Sequence, residues 1–559
     1  MIAGLRHAWR RTAALLPRRD DWTHARPTRD LTAGLMVGLV ALPLALGFGV
    51  SSGMGAGSGL ITAIVAGALA AIFGGSRVQV SGPTGAMTVV LVPIIATHGP
   101  DGVLVVGLLA GLILIGLGYA GAGRFIRYVP VPVVEGFTLG IAAIIGLQQL
   151  PAALGVEVHA EKVLVLAWNA VEAWLASPHG TPMAIAVAVT VTIVVIARFR
   201  PTLPTSLIAV VLATVANAAF GLGSPTIGRI PAGLPTPSLP TAPWADLDSL
   251  ILPAVAVAAL AALESLLSAT VADGMSVGQR HDSNRELVGQ GLANIGSPLF
   301  GGIPATAAIA RTAVNVRAGA TSRLAALTHA LVLLVVVLVA ARWVSQIPLA
   351  ALAGVLIATA IHMVRVSSLN ALMRATRGDA VVLVITAVAT IVSDLVTAVI
   401  LGLVVAGFVA LRQTAKTARL DEVPLDESDH THEEQSLLDE HIVAYRMDGP
   451  LFFAAAHDFL LELAEVSDVR VVILRMGHVT TIDATGAHVL ADTIARLEGR
   501  GITVLLSGVQ PQHEQVLAQL GVHAGLAHER HIFEATPEAI AHARAHAARV
   551  VHSPTDPTG

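Results

Sequence analysis

Two of the apolar runs in this chain are broken in the middle, and that pairing limits its fold more than any other feature. A bilayer core about 30 Å thick takes roughly twenty apolar residues to cross as a helix. The segment VQVSGPTGAMTVVLV (Val78–Val92) reads as extended, breaks at Gly82-Pro83, then turns apolar. The segment IPATAAIARTAVNV (Ile303–Val316) breaks at Pro304 and continues as a half-length run containing Arg311. Neither can cross as a regular helix. Irregular backbone survives at membrane depth only where protein or a water-filled cavity surrounds it. A matched pair of interrupted spans points to an inverted repeat with a binding site at the breaks. Each half-helix start offers free N–H groups and about half a positive charge, so an anion is the natural ligand.

The surrounding chain fits that reading. Of 559 residues, 54% are hydrophobic and 13% charged, far from the balance of a soluble protein. Fourteen apolar segments fall between residues 30 and 411. The broken ones are the third (78–98) and the tenth (304–317), seven apart, and 160–177 reads as a short interfacial helix. Charge divides the chain. Residues 1–419 carry 26 Lys/Arg against 16 Asp/Glu, whereas residues 420–559 carry 8 against 22. With the arginine-rich arm 1–29 inside, Arg77, Arg124, Arg127, Arg198, Arg200, Arg280, Arg317 and Arg323 all fall in loops on the same side. That is the positive-inside pattern, and an even span number returns the acidic C-terminal region to the cytoplasm of a plasma-membrane protein.

The eighth segment, Leu252–Met275, holds Glu264 near its centre. A carboxylate there costs at least about 3 kcal/mol by insertion scales, which marks it as paired, neutral or functional. Ser268 follows one turn later on the same face. Arg311 either balances Glu264 or faces the anion; spacing leaves both open. After a 412–440 linker, strand-like runs at His441–Ala456, Val469–Val479 and Ile502–Val509 alternate with amphipathic segments at Gly486–Gly501 and Pro511–Val522. This is the pattern of a small α/β domain over 441–543, with 544–559 as a disordered tail. No cysteine and no Walker motif occur, which excludes thiolate chemistry and disfavours an ATP-driven pump. His430, His432 and His441 are too loosely spaced to make a metal site, so none is expected. Four per cent aromatic residues and an acidic soluble domain argue against nucleic-acid binding. The chain is not expected to be an enzyme.

SGPTGAMT (Ser81–Thr88) and the run from HDSNRELVGQGLANI through FGGIPATAAIARTAVNV (His281–Val316) resemble the SulP anion permeases, as does the order of the two domains. The resemblance implies an α-helical polytopic membrane protein of fourteen spans in a seven-plus-seven inverted repeat, with core and gate domains, followed by a STAS domain. It implies secondary active, elevator-type transport of a small anion, with sulfate and bicarbonate leading, in a homodimer. Carried over by position, Thr84, Ala307, Ala308, Ile309 and Arg311 fall at the substrate, and Glu264 and Ser268 at the coupling ion. Asp483 and Thr485, in TTIDATGAH (Thr480–His488), match the loop that holds a phosphorylated serine in soluble STAS proteins. They are candidate regulatory positions.

This chain departs from the sodium-coupled bicarbonate carriers of that family, which have Asp and Thr where Glu264 and Ile309 stand here. Isoleucine gives Na⁺ no oxygen, so the resemblance leans toward H⁺ rather than Na⁺ as the coupling ion. No other cofactor is expected. The alternatives are a dicarboxylate transporter of the same family, a nucleobase permease on the same fold, and a membrane sensor that transports nothing.

Overall fold

The computed structural model describes residues 26–551, except 161, 201–202, 242–246, 277–279, 394, 416–418, 423–440, 452–468, 527 and 529–530, together with 17 and 22. The chain divides into two compact units, residues 1–404 and 405–559.

The first unit is helical. Its elements are α1 (Pro27–Ser51), α2 (Ala56–Phe73), β1 (Ser81–Gly82), α3 (Gly85–Ala120), α4 (Val131–Gln148), α5 (Leu150–Leu154), α6 (Val163–Ala176), α7 (Gly180–Phe199) and α8 (Thr205–Ala219). They are followed by α9 (Leu247–Met275), α10 (Ser283–Leu299), β2 (Thr306–Ala307), α11 (Ile309–Arg317), α12 (Arg323–Val344), α13 (Leu349–Met363), α14 (Val366–Ala375) and α15 (Arg377–Val392), and α16 (Leu395–Ala415) runs across the boundary into the second unit. Each of the fourteen expected spans overlaps a helix, and the third and tenth open on the short strands β1 and β2. The third and fourth lie in α3, which kinks at Gly99 (φ 68°), where a residue with a Cβ would be strained. The segment expected at the interface is the separate helix α6. Nine helices among the described residues are long and apolar enough to cross a membrane alone.

Apolar side chains face outward in stripes. On α7, Val187, Val191 and Val195 are about half exposed, four residues apart; on α12, Leu331, Val335, Leu338 and Val339 repeat the pattern. Water would penalise such a surface, whereas acyl chains solvate it. Helix starts are capped as their sequences dictate. Asp282 accepts from the N–H groups of Asn284 and Arg285 at α10, and Thr376 accepts from Asp379 N–H at α15. Buried Asp30 in α1 accepts from Thr321 and Ser322, fixing the turn that enters α12.

The helices pack in two groups. In one, α10 lies against α2 and α3, α9 against α3 and α11, and α12 against α1 and α2. In the other, α4 packs on α15 and α13 on α7. These groups match the expected core and gate. Glycine allows backbone contact inside the first: a Cβ at Gly291 would lie 2.7 Å from Gly111 O and 2.6 Å from Ile115 Cγ1.

The second unit contains a five-stranded sheet of order β3-β4-β5-β6-β7. Its strands are β3 (Arg419–Glu422), β4 (Ile442–Leu451), β5 (Val471–Ile482), β6 (Thr503–Ser507) and β7 (Ile532–Phe533). β3 is antiparallel to β4 and the other pairs are parallel. Its helices are α17 (Ala484–Gly499), α18 (Pro511–Gln519), α19 (Val522–Gly525) and α20 (Thr536–Val551). Successive residues of β5 feed opposite faces. Val472, Leu474 and Met476 join Leu490, Ile494 and Leu517, while Val471 and Ile473 join Ala539, Ala543 and Ala547 of α20. Burial on both faces explains the unbroken apolar run VVIL.

Three expected boundaries shift. α1 begins at Pro27, inside the expected arm, because proline suits the first helical turn. β3 falls inside the expected 412–440 linker, because its backbone completes the edge of β4. The expected tail begins at 544, yet α20 continues to Val551 because Ala547 extends its buried stripe onto the sheet.

Candidate functional site

The two interrupted spans meet. β1 and β2 form an antiparallel ladder two residues long, Ser81 opposite Ala307 and Gly82 opposite Thr306. Antiparallel pairing sends the helices that follow, α3 and α11, off in opposite directions from one point. This is the backbone expression of the matched breaks read in the sequence.

Non-helical backbone in such a place needs a partner for every polar group. Ile303 N–H donates to Thr62 Oγ1 at 2.7 Å, and Ala305 N–H donates to Asn294 Oδ1 at 2.8 Å. The Asn294 amide returns a bond to Ala305 O at 2.8 Å. Ala307 N–H donates to Ser265 Oγ (3.1 Å) and Ala308 N–H to Val80 O (3.0 Å). Val80 N–H reaches Thr312 Oγ1 at 3.1 Å, and the Asn315 amide donates to Val78 O at 2.7 Å. Side chains therefore hold both strands, and two backbone bonds per residue are not required.

Thr84 is the N-cap of α3. Its hydroxyl oxygen accepts from Met87 N–H at 3.4 Å, and the hydroxyl donates to Glu264 Oε2 at 2.9 Å. Glu264 on α9 is thus tied to the start of α3. Arg311 is buried in the first turn of α11, and its Nη2 donates to Pro83 O at 2.7 Å. Its guanidinium also lies within Coulombic reach of Glu264. Arg311 Nη1 is buried with no hydrogen-bond partner among the described residues. Gly82 (φ 153°) makes room for it, since a Cβ there would sit 2.7 Å from Nη1.

The α11 end is open. Ala308, its N-cap, supplies no side-chain cap, so the first-turn N–H groups lack an intrahelical partner. Ala307 is buried, Ala308 and Ile309 are half-buried, and Ala310 is exposed. The two tips therefore differ: α3 is capped by Thr84, and α11 presents bare amides beside a cation.

Ser268 does not turn toward Glu264. It is fully buried and its hydroxyl donates to Thr312 Oγ1 at 3.2 Å. Ser265, which no sequence pattern singles out, instead bonds both Thr306 Oγ1 (3.0 Å) and Ala307 N–H. In the second unit, Asp483 caps α17 by accepting from Gly486 N–H at 2.7 Å, a structural duty. Thr485 is exposed in the first turn of α17.

The sulfate permease family model matches residues 28–386, and the STAS domain model matches residues 437–539. The chain belongs to the sulfate permease family. It is 35% identical over 522 residues to YvdB of Bacillus subtilis, a protein named as a proposed sulfate transporter, covering 90% of this chain and 96% of the relative. It is 30% identical over 522 residues to the bicarbonate transporter BicA of Picosynechococcus, covering 89% and 91%. The solved transmembrane domain of a cyanobacterial BicA overlays with a TM-score of 0.60 at 32% identity, covering 68% of this chain and 97% of that one. The murine anion transporter Slc26a9 shares the fold, with a TM-score of 0.81 at 20% identity, covering 96% and 94%.

Proposed function

We infer that this protein is a secondary active transporter of a small anion, with sulfate or bicarbonate as the leading substrates. The observation that carries this is Arg311, buried at an uncapped helix start with a guanidinium nitrogen unpaired beside a two-strand ladder. An oxyanion placed there would receive the amides of Ile309 and Ala310 and the free Nη1, a preorganised positive pocket in a low-dielectric setting. Thr84, Ala307, Ala308, Ile309 and Arg311 form the substrate site in this reading.

Glu264 couples the anion to a cation gradient. Ionised, it neutralises Arg311 and competes with the anion; protonated, it leaves the guanidinium to the substrate. Proton uptake and anion uptake then favour each other, as symport requires. The lack of a side-chain oxygen on Ile309, and the engagement of Ser268 with Thr312, favour H⁺ over Na⁺. The ladder moves with the α1–α3 and α9–α12 group against the other, elevator fashion, in a homodimer of the plasma membrane with both termini cytoplasmic. Thr485 could accept phosphate only in a regulatory exchange with a partner kinase.

Radiotracer flux into proteoliposomes tests the reading, with sulfate, bicarbonate and fumarate offered across imposed proton and sodium gradients. Saturable uptake of sulfate or bicarbonate driven by an inward proton gradient is expected. Fumarate uptake alone would move the assignment to a dicarboxylate carrier. Competition by uracil would indicate a nucleobase permease, and no flux under any gradient a sensor.

A further inference from the structure

The STAS domain gathers histidines at one sheet edge. His531 immediately precedes β7, while His542 and His546 lie one turn apart on α20, the helix that follows. Burial of Ala539, Ala543 and Ala547 against the sheet fixes that helix, which sets His542 and His546 beside His531. The ring centroid of His531 lies 5.4 Å from that of His542 and 5.3 Å from that of His546; His542 and His546 are 5.1 Å apart. One ring nitrogen from each falls within 4.8 Å of the other two. His531 is 3% exposed, and its Nδ1 has no hydrogen-bond partner among the described residues.

We propose that His531, His542 and His546 bind one divalent transition-metal ion of borderline softness, such as Zn²⁺. Three imidazoles suit such an ion, and two of them at i and i+4 on one helix face present side by side. Tetrahedral Zn–N bonds of 2.0–2.1 Å set ligand nitrogens about 3.3 Å apart, which side-chain rotation reaches from the present spacing. Coordination takes the neutral imidazole, so protons and the ion compete for the three rings. His528, with its ring 6.0 Å from His531, stands outside the triad on the exposed side, where water or His528 itself would complete the shell. The bound ion staples the last helix to the last strand, whatever the membrane unit carries. This cluster is distinct from His430, His432 and His441, whose loose spacing gives no metal site in the sequence.

Full-length protein carrying a tag without histidine, purified in detergent, is titrated with Zn²⁺ alone against a chromophoric chelator of micromolar affinity. One zinc per chain is expected, with a rise in the melting temperature of the soluble domain. His542→Gln and His546→Gln should each weaken binding at least tenfold, while His430→Ala/His432→Ala leaves it unchanged. No zinc retained by the unaltered protein, or retention undiminished in both glutamine variants, overturns the proposal. X-ray absorption of the zinc-loaded unaltered protein is independent of any variant's folding. Three imidazole nitrogens at 2.0–2.1 Å support the site, and an oxygen-only shell refutes it.

Discussion

Glu264 and Arg311 are a case of two ionisable groups that apolar surroundings would exclude unless each had specific partners. The carboxylate has Thr84 and the guanidinium has Pro83 O, so both are bound to the tip of α3 from different helices. Changing Glu264 to Gln keeps shape and hydrogen bonding but removes the titrating charge. Concentrative uptake driven by a proton gradient should disappear while anion exchange continues. Uptake with unaltered gradient dependence would show that the proton is carried elsewhere. Thr84→Val removes the bond to Glu264 and the cap on Met87 N–H together. The half-saturation constant for the anion should rise about 5- to 150-fold, the equivalent of about 1–3 kcal/mol for a buried polar partner left unpaired. An unchanged constant would exclude Thr84 from the site.

At the scale of elements, the breaks at Gly82-Pro83 and Pro304 were readable from the chain because proline and glycine interrupt a helix locally. Glu264 and Arg311 stood out because charge is rare in such runs. What surrounds them was not readable. Ser265, Thr306, Thr312 and Asn315 are ordinary polar residues in sequence, and their duty arises only once β1 and β2, more than 220 residues apart, lie side by side. Ser268 shows the same limit: a four-residue step from Glu264 places it on the right helix face, but Thr312 takes its hydroxyl. His542 and His546 are four residues apart but straddle the expected start of the tail at 544, and their third member, His531, lies just before β7. Helix contact tells a similar story. Gly291→Ala should drive a methyl into Gly111 O and Ile115 and cost about 1–3 kcal/mol of overpacking, read as a lower melting temperature in detergent. An unchanged melting temperature would mean that α3 and α10 separate freely.

Across the whole molecule, the basic region 1–419 and the acidic region 420–559 correspond, to within about fifteen residues, to two units with separate cores. In the proposed function, anion choice rests with the first. Removing residues 419–559, a cut placed ahead of β3 so that no orphan strand remains, should lower the yield of folded protein and leave the order of anion preference intact. A changed order, measured by competition in proteoliposomes, would assign selectivity to the soluble unit as well. Within the membrane unit, the two-residue ladder has an effect out of proportion to its size. Because the starts of α3 and α11 hang from the same rungs, drawing them apart like jaws would break the ladder. In the proposed cycle the guest therefore rides with its cradle, and what opens or closes around it is the wall, never the grip.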